Sequence, residues 1–297
     1  MLYAASCKIH ILTDNLIHGY QHNFEHALKY SSGDIIFLAD QDDIWLTNKV
    51  AKIVDVYLQQ ENALFVFHNA SCIDASGNAL SQTLSPFVDA LSAGVDTDTA
   101  IHLEKVDYLE RAASGTFVVG MVTSLSRALL EIVLPFPIPL TGHDHWLPFC
   151  ALSQNGCYFY NAVLTYRRLH ESNVTEARKQ PFFSRIGRIK KRIIKFQSVG
   201  LSRYNTALAM KSFLEKQCVP RDSIVENTYN TLNRQVEIGS RELNAEKSGK
   251  LYGAIQIISL FLHDKRYRKS GTYIFLYELA YILLFSKKQR LKMIGDI

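Results

Sequence analysis

GDIIFLADQDDIW, residues 33–45, runs four apolar residues, Ile35 to Leu38, almost directly into three carboxylates, Asp40, Asp42 and Asp43. The apolar run has the length of a buried strand and is bounded upstream by Gly33 and Asp34. A buried carboxylate is costly without a partner or a metal, so the acids are expected just past the strand's end, at the mouth of a cleft. Taken alone, such a turn is a solvated loop, a metal site or a sugar site. The metal reading has a mechanism. Ligands of an open α/β sheet bind outside the carboxyl ends of its strands. Two aspartates one residue apart can converge there on a hard divalent cation that also takes substrate phosphates. Trp45 then serves either as an anchor for the next helix or as a sugar contact.

Outward from this stretch, strand and helix patterns alternate. KIHIL, 8–12, reads as a short strand. HNFEHALKYSS, from His22, places Phe24, Ala27 and Leu28 on one helical face, with Gly33 stopping the helix. NKVAKIVDVYLQQ spaces Val50, Ile53, Val54 and Tyr57 as a helix, ALFVFHNAS (63–71) is a second buried strand, and DASGN is the turn beyond it. Residues 81–107 read as loop. TFVVGMVTSLSRALLEIV (116–133) is a strand passing into a helix, HDHWLPFCALSQ begins another helix, and CYFYNAVLTYRRLH carries strand material. The alternation favours an α/β fold, an open sheet with helices on both faces. Beyond about residue 178 the pattern turns basic, amphipathic and helical, dividing the chain into 1–178 and 179–297.

Composition narrows the class. The chain has 297 residues, 47% of them hydrophobic and 21% charged, enough for a large core. Its formal charge of +5 is concentrated in RIGRIKKRIIK, 185–195, which holds six basic residues and no acid. That run is either a solvated helix or a peripheral contact with an anionic membrane surface. No nucleic-acid module surrounds it, so no nucleic-acid partner is expected. Five scattered cysteines without a CxxC pair argue for reduced thiols and a cytoplasmic setting. MLYAASCKIHILTD lacks the layout of a secretory signal. YIFLYELAYILLF, 273–285, is broken by Glu278 and too short to span a bilayer; it is an interfacial or a core helix.

Two further polar clusters stand out. GHDHW, 142–146, offers His143, Asp144 and His145. A zinc site there lacks cysteine and HExxH spacing. Asp144 at a helix entrance is either a cap or the general base an alcohol nucleophile needs, and the spacing does not decide. YRRLHESN, 166–173, offers Arg167, Arg168 and His170 for a phosphate or metal.

Together GDIIFLADQDDIWLTNKV, GHDHW and YRRLHESN resemble the family 2 glycosyltransferases of the rhamnosyltransferase-like branch, over about residues 8–175. The resemblance implies a GT-A fold and an enzyme that moves a sugar, rhamnose in this branch, from a nucleotide-sugar donor to a polysaccharide or lipid-linked acceptor. It also implies inversion and dependence on Mg²⁺ or Mn²⁺. Asp40 and Asp42 fall on the family's DxD-like pair, Asp42 as the metal contact, and Asp43 on the second residue of its DD doublet. Asp144 falls on the catalytic base, preceded by His143. Tyr166, Arg167, His170 and Asn173 fall on a YRxHxxN-like tail, with one extra residue ahead of the histidine. Gly120 falls on the segment approaching the acceptor. The family's early strand and DDGS-like nucleotide loop have no counterpart ahead of the matching region, so the resemblance implies an N-terminally truncated GT-A-like sheet with a C-terminal helical extension, and weak catalysis by the chain as given. The rivals are a Mg²⁺-dependent phosphoryl-transfer enzyme and a degenerate, non-catalytic scaffold or carbohydrate-binding subunit.

Overall fold

The computed structural model describes residues 8–13, 20–170, 199–263, 279, 282–283 and 285–295. In chain order these form helix α1 (Tyr20–Tyr30), strands β1 (Ile35–Phe37) and β2 (Ile44–Trp45), α2 (Lys49–Gln59), β3 (Phe65–Ile73), β4 (Ala79–Thr83), α3 (Pro86–Ser92), β5 (Ala100–Leu103) and α4 (Lys105–Ser114). There follow β6 (Thr123–Ser126), α5 (Arg127–Val133), α6 (His143–Ser153) and β7 (Cys157–Arg168), then helices α7 (Val199–Lys216), α8 (Ser223–Lys247), α9 (Lys250–His263) and α10 (Lys287–Gly295).

The strands make one mixed sheet in the order β1-β6-β3-β7-β2, with β4 added to β3 and β5 to β7. β3 and β7 run parallel; the other pairs are antiparallel. Alternation along β3 fills both faces. Phe65 and Phe67 join a core with α4, α5, α6, α7 and α8, while Val66 meets Ile53 and Val56 of α2 on the other side. Strands buried on both faces read as continuous apolar runs, which is why ALFVF was legible. This is the expected α/β architecture, a curled open mixed sheet flanked by helices and consistent with a GT-A-like fold.

β7 positions the site. Its register against β3 slips after His68↔Tyr160, where the side chain of Asn161 turns to bond the carbonyls of Val95 and Asp96. The half before the slip pairs with β5; the half after it pairs with β2, Ile44 opposite Tyr166 and Trp45 opposite Thr165. That register sets the acidic turn beside the residues that end β7.

Several expectations are corrected. Residues 8–13 carry no strand, and Ile9 and Ile11 are exposed, because an apolar alternation becomes a strand only where a partner edge receives it. The inward face of α1 is Gln21, Glu25 and Leu28, while Ala27 is exposed. The two polar side chains serve the 136–140 loop: Gln21 pairs with both backbone groups of Leu140, and Glu25 accepts from the Phe136 N–H. Residues 81–107 are not loop. They hold α3, opened by Ser85 as cap and Pro86, together with β5 and the start of α4. The basic run 185–195, Asn173 and most of 273–285 lie outside the described residues.

The helices after β7 share the sheet's core. α7 contributes Met210 and Phe213, and α8 contributes Val225 and Leu232. α7 and α8 approach closely at Gly200 and Gly239; a Cβ on Gly239 would stand 2.7 Å from the Tyr204 nitrogen. Asp222 caps α8 through the N–H groups of Ile224 and Val225 and pairs with Lys105 of α4 at 3.1 Å.

Candidate functional site

Just past β1 the chain turns through Asp40, Asp42 and Asp43. Asp42 Oδ2 lies 2.7 Å from His170 Nε2, an ion pair when the imidazole is protonated. Asp43 Oδ1 accepts from the Arg168 backbone N–H at 2.9 Å. The Arg168 guanidinium donates to the Asp42 carbonyl at 3.0 Å and reaches the carbonyls of Asp74 and Ala75, bracing the acidic turn against the β3–β4 hairpin. The extra residue ahead of the histidine therefore does not carry His170 away from the turn.

The carboxylates feel one another. Asp40 is held above the usual carboxylate range by desolvation and then by Asp42, with Arg167 opposing. Asp43 is raised by desolvation, then lowered by its bond from Arg168, with Asp42 and Asp40 raising it again. Arg167 thus stands close enough to both acids to temper them.

Behind the turn lies a residue the sequence reading missed. Lys49, 1% exposed, is the first residue of α2 and sits on the same inward face as Ile53 and Val56. Its ammonium donates to the Met121 carbonyl and to Thr165 Oγ1, both at 3.1 Å, and lies 3.8 Å from the centre of the Trp45 ring. Burial pushes it down to about 7, with Asp43 pulling the other way. Trp45 therefore stacks as an anchor between the acidic turn and α2, its ring 5.8 Å from Phe37. His68 shares this interior. Its Nδ1 bonds the Asn69 carbonyl, its Nε2 is buried without a hydrogen-bond partner, and burial followed by Lys49 lowers it to about 3. The available signal was a lysine in register with the apolar face of a helix.

GHDHW sits at the head of α6. Gly142 holds the cap position without a side-chain bond, so Asp144 is not the N-cap residue. Asp144 instead occupies the first turn, near the helix's positive end, and folds back toward Gly142. Its carboxyl is pushed up to about 7, first by burial, then offset by its own backbone N–H, then raised by Asp40. Asp40 of the acidic turn is thus near enough for its charge to be felt at Asp144. The Tyr20 hydroxyl, 3.3 Å from the Thr141 carbonyl, also lies within the field of Asp144.

The two histidines of the motif diverge. His145 is structural: the Ala112 carbonyl can only accept, so Nε2 carries the proton and Nδ1 accepts from Thr141 Oγ1. His143 is buried with neither ring nitrogen hydrogen-bonded, and burial lowers it to about 4. It packs 4.1 Å from the Phe24 ring and against Gly120, where a Cβ would stand 2.7 Å from its Nε2. Gly120 makes room for this imidazole.

No group of three metal-ligating side chains converges among the described residues. The donor set fits an ion that takes one or two protein ligands and completes its shell with water and phosphate oxygens, as Mg²⁺ does; it does not fit a protein-only cage. No helix among the described residues is long and apolar enough to cross a membrane.

A search of the curated proteins found none that matches this chain. Residues 3–130 match the family model of glycosyl transferase family 2, a stretch that holds the acidic turn, Lys49 and Gly120 but ends before Asp144 and the Arg167–His170 tail. With the mixed sheet, that match supports reading the chain as a glycosyltransferase with a GT-A-like fold.

Proposed function

We propose that the chain transfers a sugar, with inversion, from a nucleotide-sugar donor to a hydroxyl of a saccharide or lipid-linked saccharide. The observation that carries this reading is the match to glycosyl transferase family 2 over the residues that hold the acidic turn, joined by Asp144, a carboxyl in the first turn of α6 that burial pushes up to about 7. A general base works best with an affinity for protons near the working pH, and burial brings Asp144 into that range.

In this reading Asp42, with His170 beside it, holds a Mg²⁺ or Mn²⁺ ion. When bound, the ion supplies charge compensation for the departing diphosphate. Arg167, beside Asp40 and Asp43, would meet the same phosphates, while Arg168 braces the turn through the carbonyls of Asp42, Asp74 and Ala75. Asp144 takes the proton of the acceptor hydroxyl, which attacks the anomeric carbon from the face opposite the nucleotide. Phe24, His143 and Gly120 pack together in the segment next to Asp144. Branch resemblance makes dTDP-rhamnose the first donor to try.

The test is a panel of UDP-, GDP- and dTDP-sugars with Mn²⁺ or Mg²⁺, read as release of nucleoside diphosphate with and without saccharide acceptors. Metal-dependent release from one donor, abolished in Asp144→Asn when acceptor is present, supports the reading. Release of inorganic phosphate instead would favour phosphoryl transfer.

A further inference from the structure

We propose that α9 is a membrane-surface helix, lying in the plane of an anionic bilayer with its outward aliphatic stripe in the interface. KLYGAIQIISLFLH has no charged residue between Leu251 and Leu262. One face, with Ala254, Ile257 and Leu260, is buried in the protein. The other is apolar and open: Leu251 is 77% exposed, Ile255 53%, Ile258 40% and Leu262 57%. At about 100° per residue these four fall within roughly a sixth of the helix circumference and extend about 16 Å along it. Tyr252 is exposed at the stripe's edge. Gln256 and Ser259 lie to one side of the stripe, so the helix is apolar on two faces, one already in the core and one open.

Charge identifies the occupant. Lys247 and Lys250 are exposed at the helix's start. Arg290 of α10 clamps the same corner, donating to the Glu246 and Ser248 carbonyls, which brings exposed Lys287 and Lys288 there as well. An aliphatic stripe with four exposed lysines gathered at its start fits an anionic lipid surface, where apolar insertion and attraction to headgroups add. A second copy of this chain would bring the same cations to the same contact. Fourteen residues are too few to span a bilayer, so the helix lies on it.

The test is flotation of the full chain with vesicles of phosphatidylcholine alone or with about a third phosphatidylglycerol, combined with Tyr252→Trp as a fluorescence reporter of insertion. Binding to anionic vesicles should exceed binding to neutral ones by about tenfold or more and weaken in high salt. Ile255→Glu and Leu251→Glu should each reduce it by about tenfold or more. Leu58→Glu, an exposed position on α2, should leave it unchanged. Unaltered melting of the variants separates lost binding from lost folding, and Ile258→Ser gives a milder second reading. Absence of binding by the wild-type chain overturns the proposal. So does binding that survives Ile255→Glu but is lost in Lys190→Glu/Lys191→Glu, and so does a wild-type dimer that Ile255→Glu converts to monomer.

Discussion

Asp144→Asn should make the protein more stable and less active, and the two effects should have different pH dependences. Asp144 is raised from 3.8 to about 7, chiefly by burial. Such a group's contribution is fully present below the unfolded value of 3.8 and is lost as pH rises through about 7. Between those limits the unfolded chain gives up the proton and the folded chain keeps it. At about 1.4 kcal/mol for each tenfold change in proton affinity, the displacement corresponds to roughly 4 kcal/mol at most. The part of the side chain that keeps solvent contact reduces this to about 2–3 kcal/mol. Asparagine preserves the shape and cannot ionise. Urea denaturation at pH 8 should therefore find Asp144→Asn more stable by about 2–3 kcal/mol, with the gain vanishing by pH 4. If Asp144 is the base, turnover of the donor found in the panel should fall by about 10² to 10⁴. A variant less stable at pH 8, or one with unchanged turnover, refutes the reasoning. The first outcome would mean the carboxylate is satisfied where it lies; the second, that its raised affinity serves nothing.

Asp42→Ala should weaken Mn²⁺ binding in the presence of nucleoside diphosphate by about tenfold or more, and His170→Ala by a smaller factor of the same kind. Isothermal calorimetry reads both, with Asp74→Ala, in the hairpin turn, leaving metal affinity intact. Gly120→Ala should destabilise by about 1–3 kcal/mol, because the added carbon would stand 2.7 Å from the buried His143 ring, which is packed against Phe24 and has nowhere to yield. Chemical denaturation checks it, and a neutral result would mean His143 moves freely.

The acidic turn was legible because an apolar run followed at once by charges has one economical placement, at a strand's carboxyl end. Its partners were legible as residue types but not as neighbours. Register between Ile44 and Tyr166 is a pairing across more than a hundred residues, which no local pattern encodes. Gln21, Glu25 and Lys49 were missed for one shared reason. Each is a polar residue turned into the protein to satisfy or contact a specific backbone or hydroxyl group, and its polarity alone reads as solvent-facing even where, as for Lys49, it falls in register with the apolar face. Short elements failed differently: the seven residues of α3 and four of β5 are too few to establish a period. KIHIL shows the converse, a strand pattern in residues that pair with no strand.

Lys49 gives a second test of whether the cleft's interior is strained by charge. Its ammonium is lowered from 10.5 to about 7 by burial, and it is almost fully enclosed beneath Trp45. The sign is opposite in pH to that of Asp144. A depressed group contributes stability that is present above the unfolded value, 10.5, and is lost as pH falls through about 7. Lys49→Met keeps the length and apolar stem but removes the titration, leaving the Met121 carbonyl and Thr165 hydroxyl without their donor. That loss costs about 1–3 kcal/mol and does not vary with pH, whereas the burden of the charge does. Relative to wild type, Lys49→Met should therefore be favoured more at pH 7 than at pH 10 by a few kcal/mol, an upper bound of roughly 4 following from the displacement. Urea titrations of both proteins at the two pH values measure the difference directly. A difference between the proteins that stays constant from pH 7 to 10 would mean that Lys49 keeps its proton throughout, held by Asp43 more strongly than burial opposes it. The ammonium would then be a permanent counter-charge to the acidic turn. If the slope appears, Lys49 is neutral over much of the physiological range, and among the described residues Arg167 remains the cation that tempers Asp40 and Asp43.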